Sequence, residues 1–149
     1  FLYIIGDNIE DVLGKVRYVF TYLALGIIAC LGHWLLNAQD ITPMVGASGA
    51  ISGLFGMYVV LFRRAMLTQM FVFFQFKLPV WGYFLIWFSL NLLGQVVGGE
   101  GIAYMAHIGG FAAGIALALV TYSSLVKHYP LIACLNSGHF NARYKKSRK

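Results

Sequence analysis

Four long apolar runs limit what this chain of 149 residues can fold into. They cover residues 19–36, 48–62, 81–97 and 103–122. About 20 predominantly apolar residues in a helix cross the ~30 Å hydrocarbon core of a bilayer. The chain is also 60% hydrophobic and only 11% charged, whereas soluble domains are roughly 45–50% apolar and about 25% charged. We therefore predict an all-α, polytopic membrane helix bundle with four complete spans.

The segments outside these runs complete the predicted organisation. Residues 1–5 are apolar but too short to span, so we interpret them as the end of a fifth helix that enters a polar loop at residues 6–14. Residues 65–77 are apolar and aromatic but are interrupted by Gln69, Gln75 and Lys77, which favours an interfacial segment over another crossing. We predict a membrane domain at residues 1–122, incomplete at its N-terminus, followed by a basic tail at residues 123–149.

Basic residues orient the predicted spans. The two loops on one side of the predicted bundle contain no Lys or Arg. The basic residues fall in the connections on the other side and in the tail, and those before the last residues of the tail are Lys15, Arg17, Arg63, Arg64, Lys77 and Lys127. Because cytoplasmic loops carry the excess of Lys and Arg, this side and the tail are predicted to be cytosolic in a multi-pass membrane protein. The net charge of +6 is scattered between apolar runs, so we expect a lipid bilayer as a partner and no nucleic acid.

The residues that bind metals are sparse. Cys30 lies in an apolar run and Cys134 in the polar tail, so both are interpreted as free thiols. His128 and His139 lie beyond the last span. Because no ligands cluster at metal-binding spacing, we expect neither a metal nor a cofactor.

Ser48 lies among small residues at the start of an apolar run, in the sequence VGASGAISG. A serine at that position could cap a helix, or it could be a nucleophile that needs a base nearby. His107 has a similar setting in AHIGGFAAG. The predicted topology starts both helices from the non-cytosolic side and places the two side chains at similar depth, and neutral histidine is the usual general base. Ser48 and His107 are therefore a candidate dyad.

Glycines lie beside both residues. Gly49, Gly53 and Gly56 follow Ser48, while Gly110 and Gly114 come three and seven positions after His107 on the same helical face. In lipid, close helix association depends on small residues that let backbones approach. We expect Gly49, Gly53, Gly110 and Gly114 to pack the two helices tightly at the site.

Other polar residues in the spans have weaker claims to function. All five carboxylates lie in predicted loops, so a Ser-His-Asp triad is not expected. The sequence around Ser48 also does not match the nucleophile elbow G-x-S-x-G of α/β-hydrolases, because Ala50 replaces the last glycine and no strand precedes the motif. Asn91 and Gln95 lie one turn apart and are expected to form interhelical hydrogen bonds. They are also the only support for a third interpretation, a small channel or carrier.

Three stretches of the chain resemble the rhomboid intramembrane serine proteases. These are GDNIEDVLG at residues 6–14, GASGAISG at residues 46–53 and AHIGGFAAG at residues 106–114, and the resemblance extends over residues 1–122. It implies that Ser48 is the nucleophile, that His107 is the general base and that the Ser48 backbone N–H contributes to the oxyanion hole. The implied substrates are transmembrane segments of other membrane proteins. The alternative is a catalytically inactive relative that binds or escorts membrane clients.

The chain departs from this family's pattern in two places, and a third stretch has the spacing of a family motif without its position. The family has six spans, and its H-x-x-x-N motif, which supplies oxyanion donors, would precede residue 1; we expect the chain alone to lack protease activity. His33 and Asn37 have the spacing of this motif but lie on the next helix, where they are interpreted as an interfacial histidine and a helix end. Ser52 occupies a position where some members carry an aromatic residue stacked on the histidine, and we interpret it as variation.

Overall fold

The computed structural model describes residues 2–36, 47–71, 74–97 and 103–137. The elements in these ranges are α1 (Leu2–Leu13), α2 (Lys15–Leu36), α3 (Ser48–Leu61), β1 (Met66–Phe71), β2 (Phe74–Pro79), α4 (Val80–Val97), α5 (Tyr104–His128) and α6 (Leu131–Ser137). The helices α2, α4 and α5 are long and apolar enough to cross a membrane. The prediction of an all-α membrane helix bundle is therefore confirmed.

The helix α3 is shorter than the predicted span at residues 48–62. Its 14 residues extend over about 21 Å at 1.5 Å per residue, less than the ~30 Å hydrocarbon core. It is also the most enclosed helix, and packs against α1, α2, α4 and α5. Leu54 and Phe55 at its centre are fully buried. Because other helices pack around α3, the bundle can accommodate a helix that is too short to cross the hydrocarbon core by itself.

Glycine contacts hold α3 and α5 together. A Cβ on Gly110 would collide with the Gly49 carbonyl oxygen, and a Cβ on Gly114 would collide with the Gly53 carbonyl oxygen. A Cβ on Gly56 would collide with the carbonyl oxygen of Phe111. The two backbones therefore touch along α3 from Gly49 to Gly56. The contacts of Gly49 with Gly110 and of Gly53 with Gly114 advance by four residues on both helices, so α3 and α5 are parallel.

The helix α2 also packs against α3, and it runs in the opposite direction. Ala29 contacts Gly49, and Leu25 contacts Gly53, so α2 is antiparallel to α3. In consequence, the start of α2 lies at the same end of the bundle as the ends of α3 and α5. The basic residues Lys15, Arg17, Arg63, Arg64 and Lys127 are grouped there, while Ser48 and His107 lie at the opposite end.

The segment predicted as a polar loop at residues 6–14 is mostly helical. Its polar residues are spaced so that Ile5, Ile9 and Val12 share one face, and all three are buried, which is the pattern of an amphipathic helix. The helix ends at Gly14, which has a φ of 76°; glycine adopts this left-handed conformation at little steric cost. A second helix can therefore begin at Lys15.

The connection between α3 and α4 contains a β-hairpin, which the sequence prediction did not include. The strands β1 and β2 are antiparallel, with Leu67 opposite Leu78 and Phe71 opposite Phe74. Phenylalanine and β-branched residues favour strands, and a hairpin satisfies backbone groups that an irregular apolar segment would leave unpaired. Phe74 and Phe76 are exposed.

The last predicted span continues beyond residue 122, because α5 ends at His128. After it, α6 packs back onto the bundle with Ile132 buried. Asn136 Nδ2 donates a hydrogen bond of 2.8 Å to the carbonyl oxygen of Leu61, at the end of α3. This bond satisfies one of the carbonyl groups that a helix leaves without a partner at its C-terminus.

The glycine contacts predict opposite outcomes for two substitutions on α5. Gly114→Ala places a methyl group against the backbone of α3, and overpacking of this kind typically costs about 1–3 kcal/mol. Gly109→Ala has nothing within 4 Å of its new Cβ and gains helix propensity. The free energy of unfolding, measured by titration with SDS in micelles, should therefore fall for Gly114→Ala and stay equal or rise for Gly109→Ala. Equal stability of the two variants would contradict the close contact.

Candidate active site

Ser48 and His107 are joined by a hydrogen bond. The distance from Ser48 Oγ to His107 Nε2 is 2.8 Å, across 59 positions of sequence. Ser48 is the first residue of α3, and the N-cap position belongs to Ala47, which makes no capping bond from its side chain. The hydroxyl of Ser48 is therefore directed to the imidazole and does not cap the helix.

The two helices present these side chains from equivalent positions. Ser48 is in the first turn of α3 and His107 is in the first turn of α5, and the contact of Gly49 with Gly110 lies directly beside them. The first N–H groups of a helix have no partner within that helix, and its N-terminus carries partial positive charge. Two parallel N-termini thus lie side by side at a serine that is exposed.

A third polar side chain contacts the same histidine. Asn91 Oδ1 lies 2.8 Å from His107 Nδ1, and Asn91 Nδ2 donates a hydrogen bond of 2.8 Å to the carbonyl oxygen of Trp87, one turn earlier on α4. Asn91 is 7% exposed. The expectation that Asn91 forms an interhelical hydrogen bond is confirmed, although the sequence did not indicate that its partner is the candidate base.

Aromatic rings surround the histidine on two sides. The ring centroid of His107 is 6.4 Å from that of Trp87 and 6.5 Å from that of Tyr104. Ser52, where some rhomboid proteases have an aromatic residue, is buried, and its Oγ donates to the carbonyl oxygen of Ser48 at 2.8 Å. The aromatic neighbours of the imidazole therefore come from α4 and α5 rather than from α3.

The aromatic residues also fix α4 against the bundle. Phe111 of α5 is buried and stacks on Phe84 with ring centroids 4.6 Å apart. It also contacts Trp87 at 5.4 Å and Phe55 of α3 at 5.7 Å. Aromatic pairs at such distances stabilise a contact by about 0.5–1.5 kcal/mol beyond the area they bury. This cluster sets the rotation of α4 and so directs Asn91 at His107.

Comparison with known proteins shows which family the chain belongs to. The family model described as the Rhomboid domain matches residues 1–124. The chain belongs to the rhomboid family. The "Putative rhomboid protease YdcA" of Bacillus subtilis (strain 168) is 40% identical over 70 residues, which are 46% of this chain and 35% of that protein. The chain thus spans about a third of the length of this curated relative. No solved structure matches the chain significantly.

Other residues considered in the sequence have the following positions in this rhomboid protein. His33 is on α2, one turn beyond Ala29, while Gly46 and Asn37 lie outside the described residues. Gln95 lies one turn after Asn91, near the end of α4. Among the residues that the structure describes, no group of three or more His, Cys, Asp or Glu could hold a metal ion.

Asn91 is the residue whose place at the site the sequence left undetermined. Its position in an apolar run marks it as a residue with a polar partner, because an unpaired amide in a membrane is costly. The sequence alone does not set the rotation of α4 about its axis, and this rotation decides which helix the amide meets. The packing of Phe84, Trp87 and Phe111 carries that information.

Proposed function

We propose that this rhomboid protein is an intramembrane serine endopeptidase that cleaves transmembrane segments of other membrane proteins. The observation that carries the proposal is the 2.8 Å hydrogen bond between Ser48 Oγ and His107 Nε2 at the N-terminal ends of two parallel helices. A rhomboid relative that only binds membrane clients needs neither side chain. The family and this paired geometry together favour catalysis.

The proposed reaction proceeds through an acyl-enzyme. Ser48 Oγ attacks the carbonyl carbon of the scissile peptide bond while its proton passes to His107 Nε2. The resulting oxyanion lies near the first N–H groups of α3, and the Ser48 N–H is the proposed donor. When the carbon–nitrogen bond breaks, the imidazolium returns the proton to the leaving amine. A water molecule, activated by the same histidine, then hydrolyses the ester.

The exposure of Ser48 supports this reaction, because hydrolysis in a membrane requires that water and substrate reach the nucleophile. Ser48 is exposed and His107 is half-buried. Polar groups at membrane depth are tolerated where they line a cavity that water fills. The pair therefore has one open side, which we assign to the substrate.

The dyad predicts the effect of removing either residue. In the full-length protein, reconstituted with a fluorogenic transmembrane substrate, Ser48→Ala should reduce cleavage to background and abolish labelling by a fluorophosphonate. Because the two residues act as a unit, adding His107→Ala should lower the rate little further. Ser89→Ala, which removes an exposed hydroxyl from α4, is the matched control and should keep wild-type activity. Cleavage that survives Ser48→Ala would refute the proposal.

His33 tests whether the histidine on α2 takes part. We place it outside the oxyanion hole, so His33→Ala should change the rate by no more than a few fold, whereas loss of one oxyanion donor typically costs on the order of 10²–10³ in rate. The measurement is kcat at saturating substrate, with the concentration of active sites determined by fluorophosphonate titration. A loss on the order of 10² would assign His33 to the oxyanion hole.

The cysteines allow a test of orientation. We propose that the end of the bundle with the basic residues, the α6 helix and the tail at residues 123–149 are cytosolic, because Lys and Arg concentrate on that side. Cys134 is exposed on α6, and Cys30→Ser removes the other thiol. An impermeant maleimide should label Cys134 in inverted membrane vesicles and leave it unlabelled in right-side-out vesicles. The opposite pattern would reverse the proposed topology.

A further inference from the structure

The side-chain amide of Asn91 lies between the carbonyl oxygen of Trp87, which can only accept a hydrogen bond, and the imidazole of His107, whose Nδ1 can either donate or accept one. On one side, its Nδ2 is 2.8 Å from the carbonyl oxygen of Trp87; on the other, its Oδ1 is 2.8 Å from His107 Nδ1. A backbone carbonyl has lone pairs and no proton, so it only accepts hydrogen bonds. The NH₂ group of Asn91 must therefore face Trp87, and its oxygen must face the imidazole.

This orientation determines where the proton of the neutral imidazole resides. An amide oxygen is only an acceptor, so the hydrogen bond to Asn91 requires that Nδ1 of His107 carries the proton. Nε2 then has a free lone pair, which is directed at Ser48 Oγ at 2.8 Å. We propose that Asn91 is a positioning residue that fixes His107 in the tautomer able to act as a base toward Ser48, an inference that rests on the proposed protease function.

The carbonyl group of Trp87 is essential to this role. An asparagine beside a histidine can equally turn its NH₂ group to the ring, and it then selects the wrong tautomer. In Ser-His-Asp proteases, asparagine in place of the aspartate costs about 10⁴ in kcat for this reason. Here the Trp87 carbonyl accepts a hydrogen bond from the NH₂ group, so the amide cannot turn without losing that bond and placing two oxygen acceptors against each other.

The surroundings of Asn91 make the constraint effective. The residue is 7% exposed, so little water competes for its amide, and Phe111 packs against Trp87 at 5.4 Å. Within the described part of the chain, the acidic residues Asp7, Glu10 and Asp11 all lie on α1, so none is in a helix that carries the pair. A neutral amide orients the imidazole without placing a charge in the membrane, which is costly.

Substitutions at position 91 separate orientation from packing. Asn91→Leu has similar volume but no acceptor, and it should lower kcat on the order of 10- to 100-fold, the loss typical when the partner that orients a metal-bound histidine is removed, with KM nearly unchanged. Asn91→Asp keeps an acceptor toward Nδ1 and should recover most of the rate. Gln95→Leu removes an amide one turn along the same helix and should retain wild-type kcat. Rates are taken per active site titrated with fluorophosphonate.

The tautomer itself can be measured without activity. In the full-length protein labelled with ¹⁵N-histidine, the ring nitrogens of His107 are assigned by comparison with His107→Gln. We expect the ¹⁵N shifts of a protonated Nδ1 and an unprotonated Nε2 in the wild type, and at least partial conversion to the opposite tautomer in Asn91→Leu.

The two measurements distinguish the failure of each proposal. Cleavage that persists in Ser48→Ala would refute the protease mechanism, whatever the tautomer. A protonated Nε2 on the neutral wild-type imidazole would refute the role of Asn91, even with full protease activity. A kcat within twofold of wild type in Asn91→Leu would do the same. If Asn91→Leu does not fold, the wild-type spectrum and the rate of Asn91→Asp, expected within tenfold of wild type, decide the question.

Discussion

The direct contact between the backbones of α3 and α5 determines where both members of the Ser48–His107 pair lie. In a bilayer, lipid tails are as apolar as the side chains, so helices gain little from burying apolar surface and must gain from close packing. Gly49 against Gly110 and Gly53 against Gly114 provide that packing. Because carbonyl oxygens occupy the space where a Cβ would be, the two helices have one register. That register brings the first turn of α3 level with the first turn of α5.

The position of α4 depends on a different kind of contact. It meets the rest of the bundle through aromatic rings around Phe111 and through the hydrogen bond between Asn91 and His107. Rings at 4.6–5.7 Å tolerate small displacements better than backbones in contact, because they can slide and tilt. The distance between serine and histidine is thus held by the more rigid contact. The orientation of the imidazole ring depends on the more adaptable one.

Helix spans and the glycine faces were the features most accessible from sequence, because apolar runs and residue spacing encode them directly. Residues 6–13 of α1 were wrongly predicted as part of a polar loop, since their acidic residues suggested polarity while the spacing of Ile5, Ile9 and Val12 indicated an amphipathic helix. The hairpin between α3 and α4 was missed, because pairing of β1 with β2 is a contact between segments and not a property of either one. The partner of Asn91 was inaccessible for the same reason: it depends on how α4 is rotated by its neighbours.

A chain of hydrogen bonds from Ser48 to Trp87 also explains how polar groups can exist within an apolar bundle. Ser48 forms a hydrogen bond with His107, His107 with Asn91, and Asn91 with the carbonyl oxygen of Trp87. Each of these side chains therefore has a hydrogen-bond partner within the protein. In a medium of low polarity, an unpaired member would carry the full cost of its desolvation. The same low polarity strengthens each bond that is made. A bundle that satisfies each of these groups therefore stabilises the fold and, through the same bonds, holds serine, imidazole and amide in the order that the proposed proton transfer requires.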